Sequence, residues 1–135
     1  MLVRLIYKSD VVEILTNDQV KAVESDAALN NEKSGITGML YYNRRNFIQV
    51  LEGSRETVNK TFQRISRDSR HNKVELLAFT EVTERAFSQW SMRYFGEGIV
   101  VAPLALKFGL SRDLDLSHLF GESVFKFLQE LAEIV

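Results

Sequence analysis

The sequence predicts an α/β (α+β) fold, a ferredoxin-like sandwich with a five-stranded mixed sheet. Two helices are expected on one face of that sheet and two C-terminal helices on the other. Three observations carry this reading. Short β-rich runs recur along the chain, two helical-period segments fall between them in the order β-α-β-β-α-β-β, and a helical apolar stripe follows at the C-terminal end. At 135 residues one domain is expected, large enough to bury a core without a disulfide or a metal.

Taken in order, Leu2 to Tyr7 is the first strand, with Lys8-Ser9-Asp10 expected to end it as polar turn residues. Thr16 and Gln19 stand at capping-box spacing and open a helix whose apolar face is Val20, Val23 and Ala27. Asn30 and Asn31 extend that face at the helix's C-terminal end, where Asn is also a common cap. Ser34-Gly35-Ile36-Thr37-Gly38 turns the chain into a second strand, Met39 to Tyr42. Asn43 to Asn46 is a hairpin turn into a third strand, Phe47 to Leu51. Glu52-Gly53-Ser54 is expected to break that strand, with Ser54 capping a second helix that carries Val58, Thr61, Phe62 and Ile65. Val74 to Val82 and Trp90 to Phe95 are the remaining strands. Pro103 to Leu110 and Ser117 to Val135 are helices, the second with an apolar stripe of Val124, Phe127, Leu128, Leu131 and Val135.

Composition narrows the function. Apolar residues are 45% and charged residues 26%, the balance of a soluble globular chain. With no Cys, thiol catalysis, disulfides and thiolate metal sites are excluded. Two His leave little for a His-built metal site, and no metal is expected. Seventeen Lys and Arg against eighteen Asp and Glu give a net charge of −1, which argues against broad nucleic-acid binding. No apolar run approaches a membrane span and the N-terminus lacks a signal-peptide layout, so a cytoplasmic location is expected.

Several residues could carry chemistry, though only Gln49 departs from plain packing by itself. Gln49 puts an amide in the middle of an apolar strand, where an unmet donor or acceptor costs on the order of 1–3 kcal/mol. It reads either as an amide satisfied by backbone or as a ligand contact whose pattern inverts when the amide turns over. Tyr7 shares a strand face with Val3 and Leu5 and reads as core packing with a wet hydroxyl. Trp90 and Met92 share a face, which is ordinary core composition. Arg67, Asp68, Arg70 and His71 read singly as a solvated helix end.

Jointly these residues resemble a known family. Arg4-Leu5-Ile6-Tyr7-Lys8-Ser9 resembles the opening strand of BLUF domains, the sensors of blue light using FAD. Asn30-Asn31 with Gly35-Ile36-Thr37-Gly38 is similar to that family's NN…GITG segment, and Phe47-Ile48-Gln49-Val50-Leu51-Glu52-Gly53 to its F-x-Q-V-L-E-G strand. Arg67-Asp68-Ser69-Arg70-His71 resembles its R-D-x-R-H helix end, and Arg85 to Met92 its R-x-F-x-x-W-S-M closing strand. The resemblance runs in register from about residue 2 to 95.

The resemblance implies a blue-light photoreceptor rather than an enzyme, with FAD held between the two helices and FMN or riboflavin as alternatives. It implies that Tyr7 and Gln49 are the photoactive pair, that Asn31 bonds the pyrimidine edge of the ring with Asn30 beside it, and that Val23 and Ile65 sandwich the ring. Asp68, Arg70 and His71 are expected near the ring or the ribityl chain, and Trp90 and Met92 as the signal relay. The implied cycle is transfer from Tyr7, rearrangement of the Gln49 amide by rotation or tautomerisation, and return.

The implied division is a photosensory domain over residues 1–95 and a helical extension over 96–135. Output is expected to pass non-covalently to a separate signalling partner, with a homo-oligomer expected and neither nucleic acid nor membrane involved. One departure stands out. Ala27 and Ala28 occupy places where the family often has Ser-Arg, so altered dark recovery or flavin choice is expected. The competing readings are a flavin-binding redox enzyme, an RNA-recognition module and an acylphosphatase-like hydrolase. The chain lacks the G-x-G-x-x-G, the basic aromatic strand and the Gly-rich loop after strand one that these would require.

Overall fold

A computed structural model describes residues 1–42, 46–88, 93–95, 101–108 and 121–133. The elements are β1 (Leu2–Val11), α1 (Asn17–Ser34), β2 (Thr37–Tyr42), β3 (Asn46–Ser54), α2 (Arg55–Ser66), β4 (His71–Glu81), β5 (Arg93–Phe95), α3 (Val101–Lys107) and α4 (Gly121–Glu133). The fold is α+β, with sheet order β4-β1-β3-β2-β5. The β1–β3, β1–β4 and β2–β3 pairs are antiparallel, and β5 joins β2 in parallel.

Side chains alternate across this sheet and build two cores. Val3, Leu5, Tyr7, Leu40, Tyr42, Phe47 and Leu51 pack with Val20 and Val23 of α1 and Val58 of α2. The intervening positions, Ile6, Met39, Tyr41, Ile48 and Val50, pack with Leu104 of α3 and with Val124, Phe127, Leu128 and Leu131 of α4.

Local chemistry fixes the helix ends. The Thr16 hydroxyl accepts from Gln19 N–H at 3.1 Å while Gln19 Oε1 accepts from Thr16 N–H at 2.8 Å, a complete capping box. Ser54 caps α2 by accepting from Thr57 N–H. Gly35 ends α1 at φ 69°, a left-handed conformation that suits a residue without Cβ. Gly38 is required for a different reason, since a Cβ there would lie 1.9 Å from the Val50 carbonyl oxygen of the adjoining strand.

Several element boundaries differ from those the sequence predicts. Lys8-Ser9-Asp10 does not end β1, because β3 and β4 flank it and supply ladder partners as far as Val11. Glu52-Gly53-Ser54 does not break β3; it pairs with Arg4, Val3 and Leu2. Asn30 and Asn31 are not a cap but lie within α1, which runs one further turn to Ser34. His71 opens β4 rather than closing a helix end, and is paired with Val11. Pro103 falls inside the first turn of α3, where its missing N–H costs no helical bond. Trp90 and Met92, the expected relay, lie outside the described residues.

Candidate functional site

A cleft of about 340 Å³ opens between α1 and α2 over the sheet, within the range of small-molecule sites. Tyr7, Val23, Asn30, Asn31, Gln49, Ile65, Asp68, Arg70 and His71, widely separated in the chain, all line it. Each arrives by an identifiable route. Tyr7 and Gln49 are directly opposed across β1 and β3, so their side chains share the face beneath the helices. Val23 and Asn31 come from the inner face of α1, and Ile65 comes from the last turn of α2. Asp68, Arg70 and His71 come from the connection between α2 and β4 and from the first residue of β4.

The floor of the cleft is a buried hydrogen bond. Tyr7 is fully buried, Gln49 is 4% exposed, and the Tyr7 hydroxyl donates to Gln49 Oε1. Burial pushes the Tyr7 phenol well above its ordinary range; the Asp68 carboxylate adds to this and the Arg70 guanidinium opposes it. Phenolate is therefore strongly disfavoured here, and the proton stays on Tyr7 unless its charge is compensated as it leaves. Phe62 of α2 packs on the Tyr7 ring at 5.5 Å between centroids.

At the rim, Asp68 is committed to Arg70. Its Oδ1 accepts from the Arg70 backbone N–H at 2.9 Å and from Nε at 3.0 Å, and its Oδ2 accepts from Nη2 at 2.5 Å. These bonds hold the Asp68 carboxyl at about 2 against a partial desolvation cost. Asp26 of α1 lies 3.9 Å from Arg70 Nη1 and ties the rim to the helix opposite. His71 packs against Phe47 with ring centroids 4.6 Å apart and planes tilted by 50°, and meets Ser9 Oγ through Nδ1 at 2.6 Å. Burial lowers its pKa to about 4, so the ring is neutral at neutral pH; Asp68 pulls the other way and Arg70 reinforces the lowering.

The lining suits a flat ligand with apolar faces and a donor–acceptor edge. Val23 and Ile65 supply aliphatic walls from facing helices, while Asn31 and Gln49 supply buried amides. Amides present a donor and an acceptor together, as the edge of a flavin ring requires. Among the described residues no group of three or more His, Cys, Asp or Glu could hold a metal ion, and no helix is long and apolar enough to cross a membrane.

Sequence reasoning missed some lining and supporting residues. Thr61 and Arg64 of α2 and Leu40 of β2 line the cleft; Thr61 lies one helical turn before Ile65 and was legible from that spacing. Glu52, expected as a strand breaker, is fully buried on the opposite face of the sheet. It accepts from Arg4 Nε at 2.8 Å and from the backbone N–H groups of Ala86 and Phe87 at 3.0 and 2.7 Å.

Comparison with known proteins gives this cleft its context. The family model described as sensors of blue-light using FAD matches residues 2–93. The chain is 32% identical over 95 residues to the blue light- and temperature-regulated antirepressor BluF of Escherichia coli (strain K12), a match covering 70% of this chain and 24% of that protein. It is 37% identical over 67 residues to the photoactivated adenylate cyclase subunit alpha of Euglena gracilis, covering 50% of this chain and 7% of that protein. The chain thus spans a small part of the length of these curated relatives. Among solved structures it is similar to BlsA in its photo-activated state, with TM-score 0.87 and 31% identity over 97% of this chain and 94% of that one. It is also similar to the dark state of BlrB, with TM-score 0.84 and 30% identity over 99% and 97% of the two chains. The family match over residues 2–93, with its residues gathered around one cleft, leads to a single conclusion: the chain belongs to the BLUF family, the sensors of blue light using FAD.

Proposed function

We propose that this chain is a blue-light photoreceptor that binds FAD between α1 and α2 and signals to a separate protein, without enzymatic activity of its own. The observation that carries the reading is the buried Tyr7–Gln49 hydrogen bond at the floor of the cleft. The bound flavin supplies blue-light absorption and an excited state able to accept an electron. Tyr7 is the donor. Its raised pKa excludes loss of the proton ahead of the electron, so the proton would leave with or after the electron along the hydrogen bond to Gln49 Oε1, and both would return to Tyr7 as the cycle closes. Gln49 holds that proton route and then rearranges, by rotation or tautomerisation, so that its amide presents a changed pattern to the ring edge and to Tyr7. Asn31, with Asn30 beside it, would hold the ring edge, Val23 and Ile65 would flank its faces, and Asp68, Arg70 and His71 would lie near the ring or the ribityl chain.

Residues 1–95 form the photosensory unit in this reading, and residues 96–135 the extension that carries the output. The route outward is short. Gln49 is opposed by Leu40 of β2, and Leu40 by Tyr94 of β5. Trp90 and Met92 precede that strand and are the proposed relay. Ala27 lines the cleft from α1, so the place of the family's usual Ser holds only a methyl group. A cytoplasmic location and a homo-oligomer belong to the same proposal.

The test is the visible spectrum of the flavin-loaded protein in the dark, under blue light and afterwards. A small red shift that reverses in the dark is expected, lost in Tyr7→Phe and Gln49→Leu. Bleaching to a reduced flavin, or failure to take up flavin, would overturn the proposal. Ala27→Ser is expected to change the dark-recovery rate; unchanged kinetics would remove that residue from the account.

A further inference from the structure

Ser9 carries a role that neither the motif pattern nor the cleft lining assigns. It is fully buried, and its Oγ lies 2.6 Å from His71 Nδ1. The pairing depends on a distortion of the sheet. Between Lys8↔Glu75 and Asp10↔Asn72, β1 advances two residues while β4 advances three, and Lys73 takes a positive φ of 50° within that step. The extra residue changes which face the start of β4 presents. Val11, on the same face of β1 as Tyr7 and Ser9, is thereby opposed by His71, where the register of Tyr7 and Lys8, continued without this step, would oppose it with Asn72. The bulge therefore turns the imidazole towards the cleft and onto Ser9.

The hydrogen-bond inventory then selects the tautomer. Among the described residues His71 is the side-chain partner of the Ser9 hydroxyl. If Nδ1 carried a proton, Ser9 would accept it, and its own buried O–H would lack an acceptor among the described residues, at a cost on the order of 1–3 kcal/mol. If Ser9 donates to Nδ1, that cost is absent and the ring proton sits on Nε2. Burial keeps His71 neutral, with Asp68 and Arg70 the charged groups acting on it, so the choice lies between its two neutral tautomers.

We propose that Ser9 is a positioning residue: by donating to Nδ1 it holds His71 as the Nε2–H tautomer, so that the ring offers the cleft a hydrogen-bond donor for an acceptor atom of the bound flavin. What that donor meets rests on the flavin reading above; the tautomer does not.

The experiment is nitrogen NMR of the full chain labelled in its two histidines, with His118→Gln separating the two signals. Between about pH 6 and 8, where a neutral ring is observed, His71 is expected to show a protonated Nε2 and a bare Nδ1, with or without FAD. In Ser9→Ala the fixed pattern should give way to an exchanging mixture, and FAD should bind several-fold more weakly. A proton on Nδ1 in the unsubstituted chain overturns the proposal whatever the variant does. So does an unchanged tautomer in a folded Ser9→Ala protein. If the tautomer behaves as stated but the unsubstituted chain takes up no FAD, the donor's role falls together with the flavin reading, while the Ser9–His71 assignment stands.

Discussion

The two faces of the sheet are built from alternate residues of the same strands, yet they do opposite things. The face under α3 and α4 is closed with aromatic and aliphatic packing; Tyr41 meets Phe127 edge-on at 5.7 Å, and Phe87 meets Phe125 at 6.1 Å. Its embedded charge is fully engaged, since Glu52 takes three donors and the Arg4 guanidinium rests 4.0 Å from the Phe125 ring centroid. The face under α1 and α2 instead embeds Tyr7, Gln49, Ser9 and Asn31 and remains open as a cleft. One face supplies stability and the other holds polar groups in fixed positions for a ligand. Substitutions on the two faces should therefore separate fold from flavin chemistry.

The largest effect is expected from Phe127→Ala. It removes a fully buried ring from the closed face and should cost about 3–5 kcal/mol in urea unfolding. The spectral response of the fraction that stays folded should be unchanged. Acidification probes the open face. His71 has its pKa lowered from 6.5 to about 4, so the unfolded chain binds the proton more readily than the folded one. Its contribution is complete above 6.5 and is lost as pH falls towards 4, a change of about 3 kcal/mol in the flavin-free protein. Asp68 adds a second, more acidic window, complete above its ordinary 3.8 and lost as pH falls towards 2. Denaturation midpoints that stay flat between those two histidine limits would break this part of the comparison.

Glu52→Gln keeps the shape but weakens the contacts to Arg4, Ala86 and Phe87, and should cost about 1.5–3 kcal/mol. Because those bonds anchor the segment that leads into β5, it should also alter the signal passed outward more than the flavin spectrum. The smallest stability effect is expected from Ile65→Ala, at the partly exposed cleft wall. It should lower stability by less than about 1 kcal/mol while weakening FAD binding about tenfold, a loss of about 1.4 kcal/mol in affinity. Equal effects on stability and affinity would show that the wall belongs to the core rather than to the ligand.

The candidate site was legible in one residue that violates local pattern and, for the rest, in motifs that resemble a known family. Gln49 stood out because an amide in an apolar strand needs partners, whereas Tyr7 fitted the apolar face of Val3 and Leu5 and was singled out only by the family resemblance. Ser9 and Glu52 were not legible, because a polar residue beside a strand reads as its end unless the partner is known. Their partners are His71 and Arg4, distant in sequence. The departure from simple alternation in β4 was hidden for the same reason, since it exists only in the register between two strands.

The sequence by itself determined the order of elements and the caps at Thr16 and Ser54, and its motifs carried the family resemblance that points to most residues around the cleft. These follow from periodicity, local hydrogen bonding and motif spacing, all of which act along the chain. Tertiary structure alone decided that β1 continues through Ser9, that Glu52 is an anchor within β3, and that His71 meets Ser9. Each of these depends on which strand lies alongside, and hydrogen bonding between strands is set by register across space rather than by neighbours in sequence.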